Sequence, residues 1–209
     1  GDGLSAMRLH GYFRSTASYR VRIALNLKGV AYDQAFVQLR EGQQRAPEFL
    51  ALNPQGLVPA LELADGAVLT QSLAICEYLD ELCPQPPLLP RDAEARARVR
   101  AFAYVIACDI HPVQNLKILA RLRTLGLDEA QTNAWARTVI EEGLDACERL
   151  VADGSGQFCF GDAVTLADLC LVPQLVNARR FGADLRWPRL LAIEAACLAL
   201  PAFADAAPD

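Results

Sequence analysis

The chain has 209 residues, enough for one long domain or two short ones. A net charge of −5 argues against nucleic acid as the main partner, because phosphate binding calls for a basic surface. Hydrophobic residues make up 53% and charged ones 22%, so a sizeable core is available, yet no apolar run approaches the length of a membrane span.

Residues 1–6 lack a basic stretch followed by an apolar one and do not read as a signal peptide. Residues 7–13 alternate weakly, as a strand does. A helix follows over 15–28, with Val21, Ala24, Leu25 and Lys28 at helical spacing and Gly29 ending it. Residues 31–37 predict a second strand and 47–52 a short helix. Strands over 59–63 and 67–69 flank the turn Asp65-Gly66, and a helix over 72–82 stops before Pro84. The order is β-α-β-α-β-β-α. The first two strands need a helical crossover and are therefore parallel, while the last two form a hairpin. This is a thioredoxin-like α/β arrangement over 7–83. A proline-rich linker over 84–91 leads to an all-α segment over 92–209, with helices predicted at 92–125, 128–151, 165–181 and 188–200.

Pro112 falls inside the first of these helices and should kink it. Thr165 and Asp168 fit a capping box at the start of another, with aspartate where glutamate is usual. The seven cysteines, at 76, 83, 108, 147, 159, 170 and 197, contain no C-x-x-C pair, and their count is odd. Neither a disulfide framework nor a metal site is favoured; buried thiols in a reducing cytoplasm fit better. Of the two histidines, His10 sits in a strand and reads as structural. So few histidines disfavour a Ser-His-Asp hydrolase.

The run Arg14-Ser15-Thr16-Ala17-Ser18-Tyr19-Arg20-Val21-Arg22-Ile23-Ala24-Leu25 resembles the signature of the zeta class of glutathione transferases, whose members include maleylacetoacetate isomerases. So do Ala51-Leu52-Asn53-Pro54, Val58-Pro59, Gln71-Ser72-Leu73-Ala74-Ile75 and Ala167-Asp168-Leu169-Cys170-Leu171-Val172-Pro173-Gln174, and the likeness covers nearly the whole chain from Met7. It implies a cytosolic glutathione transferase fold, glutathione as cofactor and a homodimer. One departure matters: the family usually reads Ser-Ser-Cys where this chain has Ser15-Thr16-Ala17, so a protein thiol at that point is excluded.

A thiol pKa falls at a helix N-terminus. By spacing alone Ser15 is an N-cap; the resemblance makes it the stabiliser of the glutathione thiolate, with Thr16 and Ser18 as second choices. Gln71 and Ser72 start a helix after a strand, a geometry that both caps and binds anions, and the resemblance puts the γ-glutamyl carboxylate there. Val58-Pro59 suggests a cis bond that turns the Val58 backbone toward the cysteinyl backbone of glutathione. Gln44 for the glycyl carboxylate, and His111 and Asn115 for further glutathione contact, follow from the resemblance only. The isomerase substrate is a small cis-unsaturated dicarboxylate, and Arg14 and Arg180 are the candidate clamps, Arg180 ahead of Arg179. Competing readings for both are a surface ion pair and charge complementarity at a helix C-terminus.

The expected reaction is isomerisation of maleylacetoacetate to fumarylacetoacetate by reversible thiolate addition. Three alternatives stand beside it: maleylpyruvate isomerisation, glutathione conjugation or dehalogenation of small electrophiles, and a non-catalytic glutathione-binding module.

Overall fold

The computed structural model describes residues 7–208, so the reading of residues 1–6 lies outside the described residues. The chain divides into two compact units, one running to Leu88 and resuming at Leu200, the other Leu89–Ala199.

The first unit contains β1 (Met7–Gly11), α1 (Thr16–Leu27), β2 (Tyr32–Phe36), α2 (Pro47–Leu52), β3 (Ala60–Glu62), β4 (Val68–Thr70) and α3 (Ser72–Leu82). Two single-turn 3-10 segments, Leu39–Glu41 and Gln43–Arg45, join β2 to α2. The sheet order is β2-β1-β3-β4. β1 runs parallel to β2, with Met7 opposite Tyr32; β1 and β3, and then β3 and β4, are antiparallel, with Leu9 opposite Leu61 and Leu61 opposite Leu69. The expected parallel pair and hairpin are both present. Leu9 and Leu61 of the sheet and Ile23, Leu25, Ile75 and Leu79 of α1 and α3 are all buried core, and burying these apolar faces is what fixes helices on a sheet.

The chain beyond Leu200 packs into this same unit. The short α9 (Pro201–Ala204) buries Phe203, Arg22 donates from Nε to the Ala206 carbonyl at 2.9 Å, and Asn26 donates from Nδ2 to the Ala202 carbonyl at 3.0 Å.

The second unit holds α4 (Ala93–Tyr104), α5 (Leu116–Thr124), α6 (Glu129–Val151), α7 (Leu166–Arg180) and α8 (Pro188–Leu198). The predicted single helix over 92–125 is corrected: α4 passes into a π-helical turn, Val105–Ile110, then a 3-10 turn, His111–Val113, before α5 begins. Pro112 cannot donate to a regular helix. Asn115 then restarts one, its Oδ1 accepting from the Ile118 amide at 3.1 Å. The predicted helix over 188–200 likewise ends at Leu198, and Leu200 adopts an extended backbone ahead of Pro201.

α7 is buried along most of its length. Its Asp168 accepts from the amides of Thr165 at 2.9 Å and Cys159 at 3.0 Å, fastening the helix start to the preceding loop. Burial raises the Asp168 pKa above the ordinary aspartate value, partly opposed by these amide donors. Among the described residues, no helix is long and apolar enough to cross a membrane.

Candidate active site

The N-terminus of α1 is built on Ser15. Its backbone is extended, its Oγ accepts from the Ser18 amide at 3.1 Å, and its carbonyl accepts from the Tyr19 amide at 3.0 Å. Ser15 is therefore an N-cap, as spacing alone implied. Capping uses Oγ as an acceptor, so the hydroxyl hydrogen is still available to a second group. Thr16 follows at the first helical position, buried, with no hydrogen-bond partner for Oγ1 among the described residues. Ser18 has a different place: it is fully buried beneath Gly11, and its Oγ accepts from the Tyr12 amide at 3.4 Å. A Cβ at Gly11 would come within 3.0 Å of that oxygen, so the two residues fix the β1–α1 junction. Arg14 is exposed, its guanidinium 5.5 Å from the Phe13 ring centroid.

The N-terminus of α3 begins at Gln71, the only described non-glycine residue with positive φ, at 70°. This conformation is costly for a residue with a Cβ and persists where surroundings impose it. The Gln71 side chain reaches back from Nε2 to Gln55 Oε1 at 2.8 Å. Ser72 is buried, and its Oγ accepts from Arg20 Nη1 at 3.1 Å, which ties the start of α3 to the middle of α1. The Val58–Pro59 peptide is cis, as is Gln85–Pro86. Gln44, half-buried in the second 3-10 turn, keeps a buried Oε1 without a partner among the described residues.

The donor set Ser15, Thr16, Ser72 and Arg20 contains no carboxylate; Ser15, Thr16 and Ser72 lie at two helix starts in one unit, and Arg20 reaches the second of them from within α1. The set suits a ligand carrying a thiolate and a carboxylate.

Sequence reasoning missed Arg20. The available signal was an arginine pair, Arg20 and Arg22, inside a helix whose other residues up to Leu25 are buried. Arg22 is structural: beyond its bond to Ala206 it donates from Nη2 to the Phe13 carbonyl at 3.2 Å and lies over the Tyr19 ring at 5.4 Å. Burial lowers its pKa.

In the second unit, His111 and Asn115 share one short segment. Gln114 fastens it, donating from Nε2 to the His111 carbonyl at 3.0 Å. The Gln114 Oε1 in turn accepts from Asn177 Nδ2 at 2.7 Å, so the segment is joined to α7 close to its arginine pair. Arg179 makes a bidentate pair with Glu194, at 2.7 and 2.6 Å. Arg180 is exposed at the last position of α7. His10 is structural, with Nε2 3.4 Å from Glu62 Oε1.

A thioredoxin-like unit with a second, helical unit defines the two-part plan of the glutathione transferases. Residues 14–82 match the glutathione S-transferase N-terminal domain and residues 93–196 the C-terminal domain, so the chain belongs to the glutathione S-transferase family. Within it, the similarity is to zeta-class isomerases. A maleylpyruvate isomerase from Ralstonia sp. is 52% identical over 206 residues, covering 97% of each chain. A maleylacetoacetate isomerase from Rhizobium meliloti is 52% identical over 204 residues, covering 96% of this chain and 95% of that one. Among solved structures, a maleylpyruvate isomerase described as a bacterial zeta-class glutathione S-transferase superposes with a TM-score of 0.93 at 51% identity, covering 96% of each chain. A maleylacetoacetate isomerase from Methylobacterium extorquens AM1 with bound malonate and glutathione also gives 0.93, at 45% identity and the same coverage.

Proposed function

We propose that the protein is a glutathione-dependent isomerase that converts maleylacetoacetate to fumarylacetoacetate. The observation that carries this reading is the state of Ser15. Its Oγ serves as helix cap by accepting, and its hydrogen remains for an anionic sulfur at the α1 N-terminus. The full-length similarity to isomerases supports the substrate class.

When bound, glutathione supplies the thiolate whose reversible addition to the cis double bond permits rotation and release of the trans isomer. The chain's own residues hold and orient. Ser15 donates to the sulfur, and Thr16 is the second hydroxyl within the same turn. Gln71 and Ser72 take the γ-glutamyl carboxylate, the Val58 backbone the cysteinyl backbone, and Gln44 the glycyl carboxylate. His111 and Asn115 make further glutathione contacts. Arg14 and Arg180 grip the substrate carboxylates, which fixes the double bond for attack. With Ala17 in the signature, the chemistry needs no thiol from the protein at that position. We further propose a homodimer in a reducing cytoplasm, a setting supported by seven free cysteines; light scattering on the purified protein tests the dimer.

Maleylpyruvate is the second candidate substrate, favoured by the Ralstonia relative. Glutathione-dependent turnover of the two acids, measured in parallel, decides between them. Absence of turnover on both overturns the isomerase reading.

A further inference from the structure

We propose that Arg20 is a positioning residue for the ligand carboxylate at the N-terminus of α3, acting through Ser72. The proposal rests on the reading above that Gln71 and Ser72 receive the γ-glutamyl carboxylate.

A guanidinium only donates, so the direction of the 3.1 Å bond from Arg20 Nη1 to Ser72 Oγ is fixed. Ser72 accepts from Arg20, and the positive charge turns the hydroxyl hydrogen away from the guanidinium. The hydroxyl is thus preset as a donor, at a helix start where first-turn amides already favour an anion. Without Arg20 the hydroxyl would rotate freely and part of that orientation would be lost on binding.

The charge itself is unspent. Arg20 is 2% exposed, yet its Nε and Nη2 have no hydrogen-bond partner among the described residues. None of the ion pairs formed by the described residues includes it. Arg22, two residues on, is the internal contrast, with Nε and Nη2 both bonded to carbonyls. A buried cation without a counter-charge destabilises a fold, and an apolar side chain of similar volume would fill the space without that penalty. An arriving carboxylate supplies the missing counter-charge. Arg20 therefore trades stability of the ligand-free protein for affinity.

The test uses the full chain as wild type, Arg20→Met, Arg20→Gln and Ser72→Ala. Calorimetric titration compares glutathione with 4-aminobutyryl-cysteinylglycine, which lacks only the γ-glutamyl carboxylate, and thermal unfolding is followed without ligand. Arg20→Met is expected to weaken glutathione about 10- to 100-fold, as for loss of hydrogen bonding to a charged group, to change the analogue far less, and to leave the ligand-free Tm unchanged or higher. Adding Ser72→Ala to Arg20→Met should cost less affinity than Ser72→Ala alone. Equal losses for both ligands, or a Tm that falls while discrimination persists, make Arg20 structural and overturn the proposal. If Arg20→Met fails to fold, Arg20→Gln, which keeps a donor for Ser72 but removes the charge, carries the same comparison; undiminished discrimination there overturns it. Equal binding of the two ligands by the wild type instead overturns the placement of the carboxylate at Ser72, and Arg20's role with it.

Discussion

Asn177 Nδ2 donates to Gln114 Oε1 over 2.7 Å, and both side chains are buried. Gln114 gives its own Nε2 and backbone amide to the His111 carbonyl, at 3.0 and 3.2 Å. Helix α7 and the irregular turn carrying His111 are thereby held as one piece. Asn177→Leu leaves a buried acceptor unpaired and should cost about 1–3 kcal/mol, read from urea unfolding. Glutathione affinity should fall with it, since the contact proposed for His111 loses its support. An unmoved unfolding midpoint would show that the bridge holds nothing.

Ser15→Ala removes both a cap and the proposed thiolate donor. The cap loss should lower stability by about 1 kcal/mol. Turnover at neutral pH should fall roughly a hundredfold, as when a single oxyanion donor is removed. With one donor gone the bound thiol pKa rises, so the deficit should narrow as pH increases. Near-normal turnover at neutral pH would sink the assignment. Thr16→Val is the companion variant, with a smaller loss expected.

Arg179 and Arg180 are adjacent but separable. The Glu194 side chain is 6% exposed and depends on Arg179 for both of its oxygens. Arg179→Ala should destabilise by roughly 1–3 kcal/mol, by stranding that carboxylate, with little change in KM. Arg180→Ala should raise the KM for the dicarboxylate with little change in stability. Denaturation and steady-state kinetics on the pair settle it, and the reverse pattern would exchange the two roles.

Much of this was legible in the sequence. The order of the elements along the first unit, its parallel strand pair, its hairpin and the extents of α2 and α3 follow from apolar period and from Gly and Pro punctuation. Pro112 marked the disturbance within 92–125 as a kink, but not its form as a full break, because Ile106 and Ile110 continue a helical period and a π-helical turn has no side-chain signature. Ser15, Gln71 and Ser72 were nameable because helix starts advertise themselves. Arg20 was not, since Arg20 and Arg22 look alike until their partners are seen.

The cysteines differ in reactivity for a physical reason. Burial pushes the Cys147 thiol up to about 12, and Cys159 and Cys197 also well above the ordinary range. Against the expectation of buried thiols, Cys108 is exposed on the π-helical turn. A thiol reagent should label Cys108 quickly, half-buried Cys83 more slowly, and Cys76, Cys147, Cys159, Cys170 and Cys197 only on unfolding. Cys108→Ser should abolish the fast phase and leave turnover intact.

Asp145 predicts the acid limb of stability. It accepts from Arg186 at 3.0 and 2.9 Å and from Trp187 Nε1 at 2.7 Å, and these bonds, led by Arg186, hold its pKa below the ordinary aspartate value. The folded pKa is depressed, so the contribution is present above the unfolded value, near pH 4, and is lost as pH falls through the folded one. Asp145→Asn should be less stable than wild type at neutral pH, and the gap should close in acid. A gap independent of pH would show that the ionised form is not what matters.

The return of the last residues to the first unit has a bearing on biosynthesis. The guanidinium of Arg22 is buried, and its Nε finds its acceptor in Ala206. A ribosome makes Arg22 early and Ala206 about nine-tenths of a chain later. Until then the nascent first unit lacks the carbonyl that Arg22 Nε needs and the Phe203 ring that packs beside α1. The helical unit is fully synthesised before its predecessor is able to close. For this chain, the first part to leave the ribosome is the last to be finished.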